Sequence, residues 1–197
     1  GDGPRGAGVS AFFVEFMNNI VLFGVLFATN GIVAEDRKLG YYRFYFSKPV
    51  SVAAFYTQKF FVHMAGLLLI SGVLLLVYGV LIEPRYPSAY FPVIAMMGIG
   101  LGGVGFLLSA LFTLDWLSLF AIYAVSDIGW RLYGDDAGVR GILIRGFPPV
   151  HHLRDIYAAV TRGTPIPMEP FWWIFTYGVV CFIIALVVIS RRRLATN

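Results

Sequence analysis

Gly31-Ile32-Val33-Ala34-Glu35-Asp36-Arg37-Lys38-Leu39-Gly40, with the closing run Ser47-Lys48-Pro49-Val50-Ser51, forms a charged island between two long apolar stretches. In a chain of 197 residues that is 58% apolar and only 13% charged, this block of two acids and four bases belongs in water. The flanking stretches run about 20 residues or more, enough for a helix rising about 1.5 Å per residue to cross a hydrocarbon core about 30 Å thick. They lack the period-two alternation of barrel strands. With a mean hydropathy of +0.76 and 17% aromatic residues, the chain is expected to be an all-α polytopic membrane protein, a single domain over 1–197.

Five spans are expected, at about Ala11–Ala34, Val52–Ile82, Tyr90–Thr113, Leu114–Tyr133 and Phe171–Ser190. Arg37, Lys38, Arg43 and Lys48 follow the first, and Arg191, Arg192 and Arg193 follow the last. The positive-inside rule places both clusters, and the tail from Arg191 to Asn197, in the cytoplasm. The first span then runs inward, and the segment holding Arg131, Arg140, Arg145, Arg154 and Arg162 faces outward. Glu83-Pro84-Arg85-Tyr86-Pro87-Ser88 makes a short turn between spans two and three, and Asp115-Trp116 a tighter one between three and four.

The outer segment, 134–170, is broken by Pro148-Pro149 and by Gly163-Thr164-Pro165-Ile166-Pro167. Between them Val150, Leu153, Ile156, Tyr157 and Val160 recur at helical spacing, which predicts a short amphipathic helix lying at the outer interface. Gly1 to Gly8 reads as an incompletely represented N-terminus and not as a signal peptide.

Several chemistries are excluded or weak. A single cysteine, Cys181 in an apolar run, rules out an intrachain disulfide or a thiolate metal cluster. The pI near 9.3 comes from bases at helix ends, not from a stripe suited to nucleic acid. Gly100-Leu101-Gly102-Gly103-Val104-Gly105 matches a dinucleotide fingerprint only formally, because it lies inside a span. Gly98 and Gly102 fit a small-residue face for close helix packing. His151 and Asp155 could share a face but supply only two metal ligands. Ser109, Ser118 and Ser126 lack the strand-turn-helix elbow of a nucleophile. Glu15, Asn18 and Asn19 enter the first span, either as snorkelling polar residues or as the lining of a translocation path, and His63 reads as an interfacial or packed residue.

The island differs from a solvated loop because Tyr41, Tyr42, Phe44, Tyr45 and Phe46 follow Gly40, Lys48-Pro49 closes the run, and Lys59 follows as the next span begins. In Glu35, Arg37, Gly40, Ser47, Pro49, Val50 and Lys59 the chain resembles the permease subunits of ABC transporters of the ABC-2 type. A tight turn at Asp115 and the Pro-rich outer stretch Phe147 to Leu153 extend the likeness along most of the chain. The sequence departs from the family's pattern in two places: the interfacial helix and the first of six spans that the family carries ahead of Ala11 are either lacking or not represented, and Tyr41 stands where threonine is common.

The resemblance implies a coupling segment at 35–51 whose Glu35, Asp36, Arg37, Lys38, Gly40, Tyr41, Tyr42 and Phe44 dock on a separate ATP-binding subunit. It further implies a second permease copy or paralogue, a re-entrant hairpin on the outer side, and a bacterial inner-membrane location. Export of a lipid, drug or glycan-like substrate would follow. No GxxxxGK[ST] pattern occurs, so ATP and magnesium are expected on the partner, and the chain itself is expected to carry no catalytic residue, cofactor or metal. A non-transporting structural subunit of a larger membrane assembly is the alternative.

Overall fold

A computed structural model of the chain describes residues 19, 21–29, 32–40, 51–81, 86–112, 115–134 and 136–191. Their regular structure is helical, with no strand among them: α1 (21–29), α2 (Ala34–Lys38), α3 (Val52–Leu81), α4 (Tyr86–Leu111), α5 (Asp115–Tyr133), α6 (Val139–Arg145), α7 (His152–Arg162) and α8 (Met168–Arg191). Three helices, over Val52–Leu81, Tyr90–Leu111 and Met168–Arg191, are long and apolar enough to cross a membrane. The chain is thus an all-α protein with the makings of a membrane bundle. Of the expected first span, residues 19, 21–29 and 32–34 are described, and 21–29 form α1. The expected fourth forms one continuous helix, α5, whose last turns carry the charged pair Asp127 and Arg131.

The helix α4 is the hub. Its apolar window is 72% buried, against 28% for α3 and for α8. Those two leave apolar side chains such as Leu69, Leu76, Val80, Ile183 and Val187 open on their outer faces, as lipid-facing helices do. The reason is glycine placement. A methyl group on Gly103 would run into the Gly178 carbonyl, and one on Gly178 would run into the backbone at Ile99 and Gly100. At this crossing α4 and α8 touch backbone to backbone, an approach that side chains of any size would prevent. Gly98 and Gly102, the pair expected to form the packing face, turn instead towards Leu67 and Met64 of α3, where side chains fill the gap.

These contacts fix the register. Gly100 meets Ile174 and Gly103 meets Gly178, so α4 and α8 run parallel; Gly98 meets Leu67 and Gly102 meets Met64, so α3 runs antiparallel to both. Thr29 packs on Gly105 and Gly24 on Leu67, which lays α1 alongside α4 and α3. One level lower, Phe60, Phe106 and Phe182 form a triangle with ring centroids 4.7 to 5.4 Å apart, joining α3, α4 and α8.

If the glycine crossing sets the bundle, overpacking it destabilises by about 1–3 kcal/mol. Gly103→Ala and Gly178→Ala should each lower the thermal midpoint of the detergent-solubilised protein. Gly66→Ala, with nothing within 4 Å of the added carbon, should leave it unchanged or raise it slightly.

Candidate functional site

The charged island is built from the bundle outward. After α1 ends and the chain turns at Ile32 and Val33, α2 makes little more than one helical turn, with Glu35 and Asp36 in its first turn, where acids favour the helix dipole. A helix this short cannot stand alone. Its free N-terminal amides are taken by another helix: the Ser109 hydroxyl of α4, fully buried, accepts from Val33 N at 3.0 Å and from Ala34 N at 3.3 Å. Ser109 therefore acts as a cap supplied from 76 residues away. At the other end Leu39 N donates to Glu35 O, and Gly40 adopts a left-handed conformation (φ 70°) that stops the turn.

The second anchor is electrostatic. Lys59 of α3 donates from Nζ to Asp36 Oδ2 and to the Ile32 carbonyl, both at 2.9 Å. Asp36 is 5% exposed, so its carboxylate is committed to the protein's interior. Removing either charge strands the other in a low-dielectric place, at a cost of about 3 kcal/mol, the low end for buried pairs. One turn further along α3, the His63 ring nitrogen Nδ1 lies 2.7 Å from the Lys59 carbonyl. His63 also lines an apolar groove of about 480 Å³ between α1 and α3, together with Gly24, Phe27, Val62, Leu67 and Ser71.

The expected docking residues are thus divided. Glu35 and Lys38 are exposed, as is Leu39, which is not among them; Asp36 points inward, and Gly40 ends the turn. The backbone of Arg37 lies within α2, whereas Tyr41, Tyr42 and Phe44 fall outside the described residues. Of the expected path residues, Asn19 is exposed, and Glu15 and Asn18 fall outside the described residues. Sequence reasoning noticed Lys59 without its partner and weighed Ser109 only as a nucleophile. In the fold that hydroxyl is occupied by two amides.

Away from the α2 end of α4, α6 and α7 form a short helical pair joined by Gly146 to Val150. This turn packs against Gly100, Leu101, Ile174 and Tyr177, about midway down α4. Irregular backbone at such depth must satisfy its polar groups within the protein. Two prolines remove two amide donors, and the Gly146 carbonyl accepts from the Tyr177 hydroxyl at 3.0 Å. The predicted apolar stripe on α7 exists, with Val150, Leu153, Ile156 and Val160 at 5% exposure or less. Protein, not lipid, covers it: α7 packs on α4 and α8, and the Tyr157 hydroxyl reaches the Met97 sulfur.

Asp127 of α5 ties this end together, pairing with Arg131 at 2.6 Å and Arg154 at 3.6 Å. His151 stacks on Trp130 with ring centroids 3.5 Å apart and the planes nearly parallel. Among the described residues no group of three His, Cys, Asp or Glu side chains is placed to hold a metal ion. Burial, reinforced by neighbouring His152, pushes the His151 pKa down to about 4, against the opposing pull of Asp155 and Asp127.

Two tests follow from these anchors. Ser109→Ala should cost about 1 kcal/mol and Lys59→Met about 3, and both should speed proteolysis at the α2 turn. Asp36→Asn combined with Lys59→Met should recover part of the single-variant loss. Because folding lowers the His151 pKa, the folded state favours the neutral ring. That contribution is complete above about pH 6.5 and fades as the pH falls towards 4, so thermal stability should drop across that window, less so in His151→Phe.

No family model matches the chain, and neither does any curated protein or solved structure.

Proposed function

We propose that the chain is the membrane-spanning permease subunit of an ATP-driven transporter of the ABC-2 type, coupled through α2 to a separate ATP-binding subunit. The observation that carries this reading is the double anchoring of α2. A turn held by Ser109 to the hub helix and by Lys59 to α3 cannot move without moving both. Its outward side meanwhile offers Glu35, Lys38 and Leu39. A rigid element with an exposed charged tip and two buried attachments is suited to passing motion from a docked partner into a bundle.

The groove between α1 and α3 supports the same reading. His63 links it to Lys59 within one helical turn, so displacement of the clasp reaches the groove walls directly. Its apolar lining suits a lipid, a hydrophobic drug or a lipid-linked glycan better than a small ion. In this reading the five expected spans all cross the membrane, and the α6–α7 pair is the re-entrant hairpin before the last one. In that arrangement α2 and Arg191 face the cytoplasm of a bacterial inner membrane. A second permease copy or paralogue would complete the pathway.

Purification of the complex from its native membrane tests the assignment. An ATP-binding subunit should accompany the wild-type chain and be lost, along with transport, when Glu35 and Arg37 are both replaced by alanine. Retention of both would remove the coupling role from α2. A stable assembly with no ATP-binding member would identify a structural subunit instead.

A further inference from the structure

The groove between α1 and α3 has one polar ring on its wall, and the bundle engages only half of it. His63 Nδ1 lies 2.7 Å from the Lys59 carbonyl oxygen. A carbonyl oxygen only accepts, so Nδ1 supplies the proton of this contact, and in the neutral ring Nε2 is left with a lone pair. Nε2 has no partner among the described residues. An acceptor held among apolar side chains without a donor costs free energy that a suitable ligand recovers.

The walls restrict that ligand further. Apart from His63, and Ser71 at the far end, the side chains facing the groove are apolar. Leu67 comes against Gly24 and closes the floor, whereas an added carbon on Gly66 would meet nothing within 4 Å. Phe27, Val62 and Ile70, each more than half exposed, stand at the rim, so the groove opens sideways from the bundle. From His63 to Ser71 it rises about 12 Å along α3. Its polar end lies one turn from the Lys59–Asp36 clasp, and its apolar end passes the middle of the helix. An amphiphile with its head at the charged side matches that gradient. Ester and phosphodiester oxygens only accept and leave Nε2 unmatched, whereas an O–H donates to it. A trough of about 480 Å³ between two helices, with one acceptor, suits a single alkyl chain.

We propose that this groove binds a single-chain amphiphile whose head carries a hydroxyl donor, a long-chain alcohol or carboxylic acid. Its O–H meets His63 Nε2, and its chain lies over Gly66 and Leu67 towards Ile70. The proposal rests on the transporter reading for what becomes of the ligand. Binding itself is measured on the purified chain, so its failure and the loss of an ATP-binding partner are separate results.

In a Cys181→Ala background the full chain carries a fluorophore at Ile70→Cys and is reconstituted in phosphatidylcholine nanodiscs. Stearyl alcohol, stearic acid and methyl stearate, each brominated at mid-chain, are titrated as quenchers. The alcohol and the acid should give saturable quenching at about fivefold lower concentration than the ester, as one net hydrogen bond requires. His63→Leu should erase that difference. Gly66→Leu, which fills the trough from a position with open space, should remove the saturable quenching for all three. Equal quenching by the three in the wild-type background, a difference that survives His63→Leu, or quenching untouched by Gly66→Leu overturns the proposal. An acid that binds while the alcohol behaves as the ester does would assign the site to an anion, and overturns it as well.

Discussion

Backbone contact between Gly103 and Gly178 is the constraint from which the rest of the molecule hangs. Lipid offers helices no hydrophobic reason to associate, so a membrane bundle must gain its order from close packing and internal hydrogen bonds. Where two glycines meet, α4 and α8 come close enough for that packing to extend along both helices. The approach fixes their relative height, and the Phe60, Phe106 and Phe182 triangle brings α3 to the same axis.

Once α4 is held, its lower end and its middle each position a different device. Its lower end carries Ser109, which caps α2, and the adjoining stretch of α3 carries Lys59, which neutralises Asp36. Its middle receives the Gly146 to Val150 turn, whose prolines and Tyr177 contact let non-helical backbone sit deep in the bundle. The two devices therefore share one rigid part. The α2 turn and the α6–α7 pair thus rest on one helix, so a displacement of either bears on the other through α4.

Much of this was legible in the sequence, and the limits have identifiable causes. The apolar runs at Val52–Leu81 and Met168–Arg191 declare themselves by length alone. The stripe of Leu153, Ile156 and Val160 is visible at helical spacing, but spacing cannot say whether lipid or protein covers it. Because Pro148 and Pro149 turn the chain down onto α4, protein does. The helix α6 is too short for its periodicity to stand out, and its exposed face appears only once Ile144 is seen packed on Gly129. Partners distant in sequence were the least accessible: 23 residues separate Asp36 from Lys59 and 76 separate Val33 from Ser109. Nothing local marks Asp36 as the inward residue of the island and Glu35 as the outward one.

The central claim is that the tip of α2 lies against an ATP-binding protein. A photo-crosslinking residue at Leu39, 58% exposed at the end of the turn, measures this in intact membranes. The account predicts a covalent adduct with an ATP-binding subunit, and lipid adducts alone when the same residue is placed at Val180 on the open face of α8. Recovery at Leu39 of lipid adducts only, or of a partner with no nucleotide-binding domain, would contradict it.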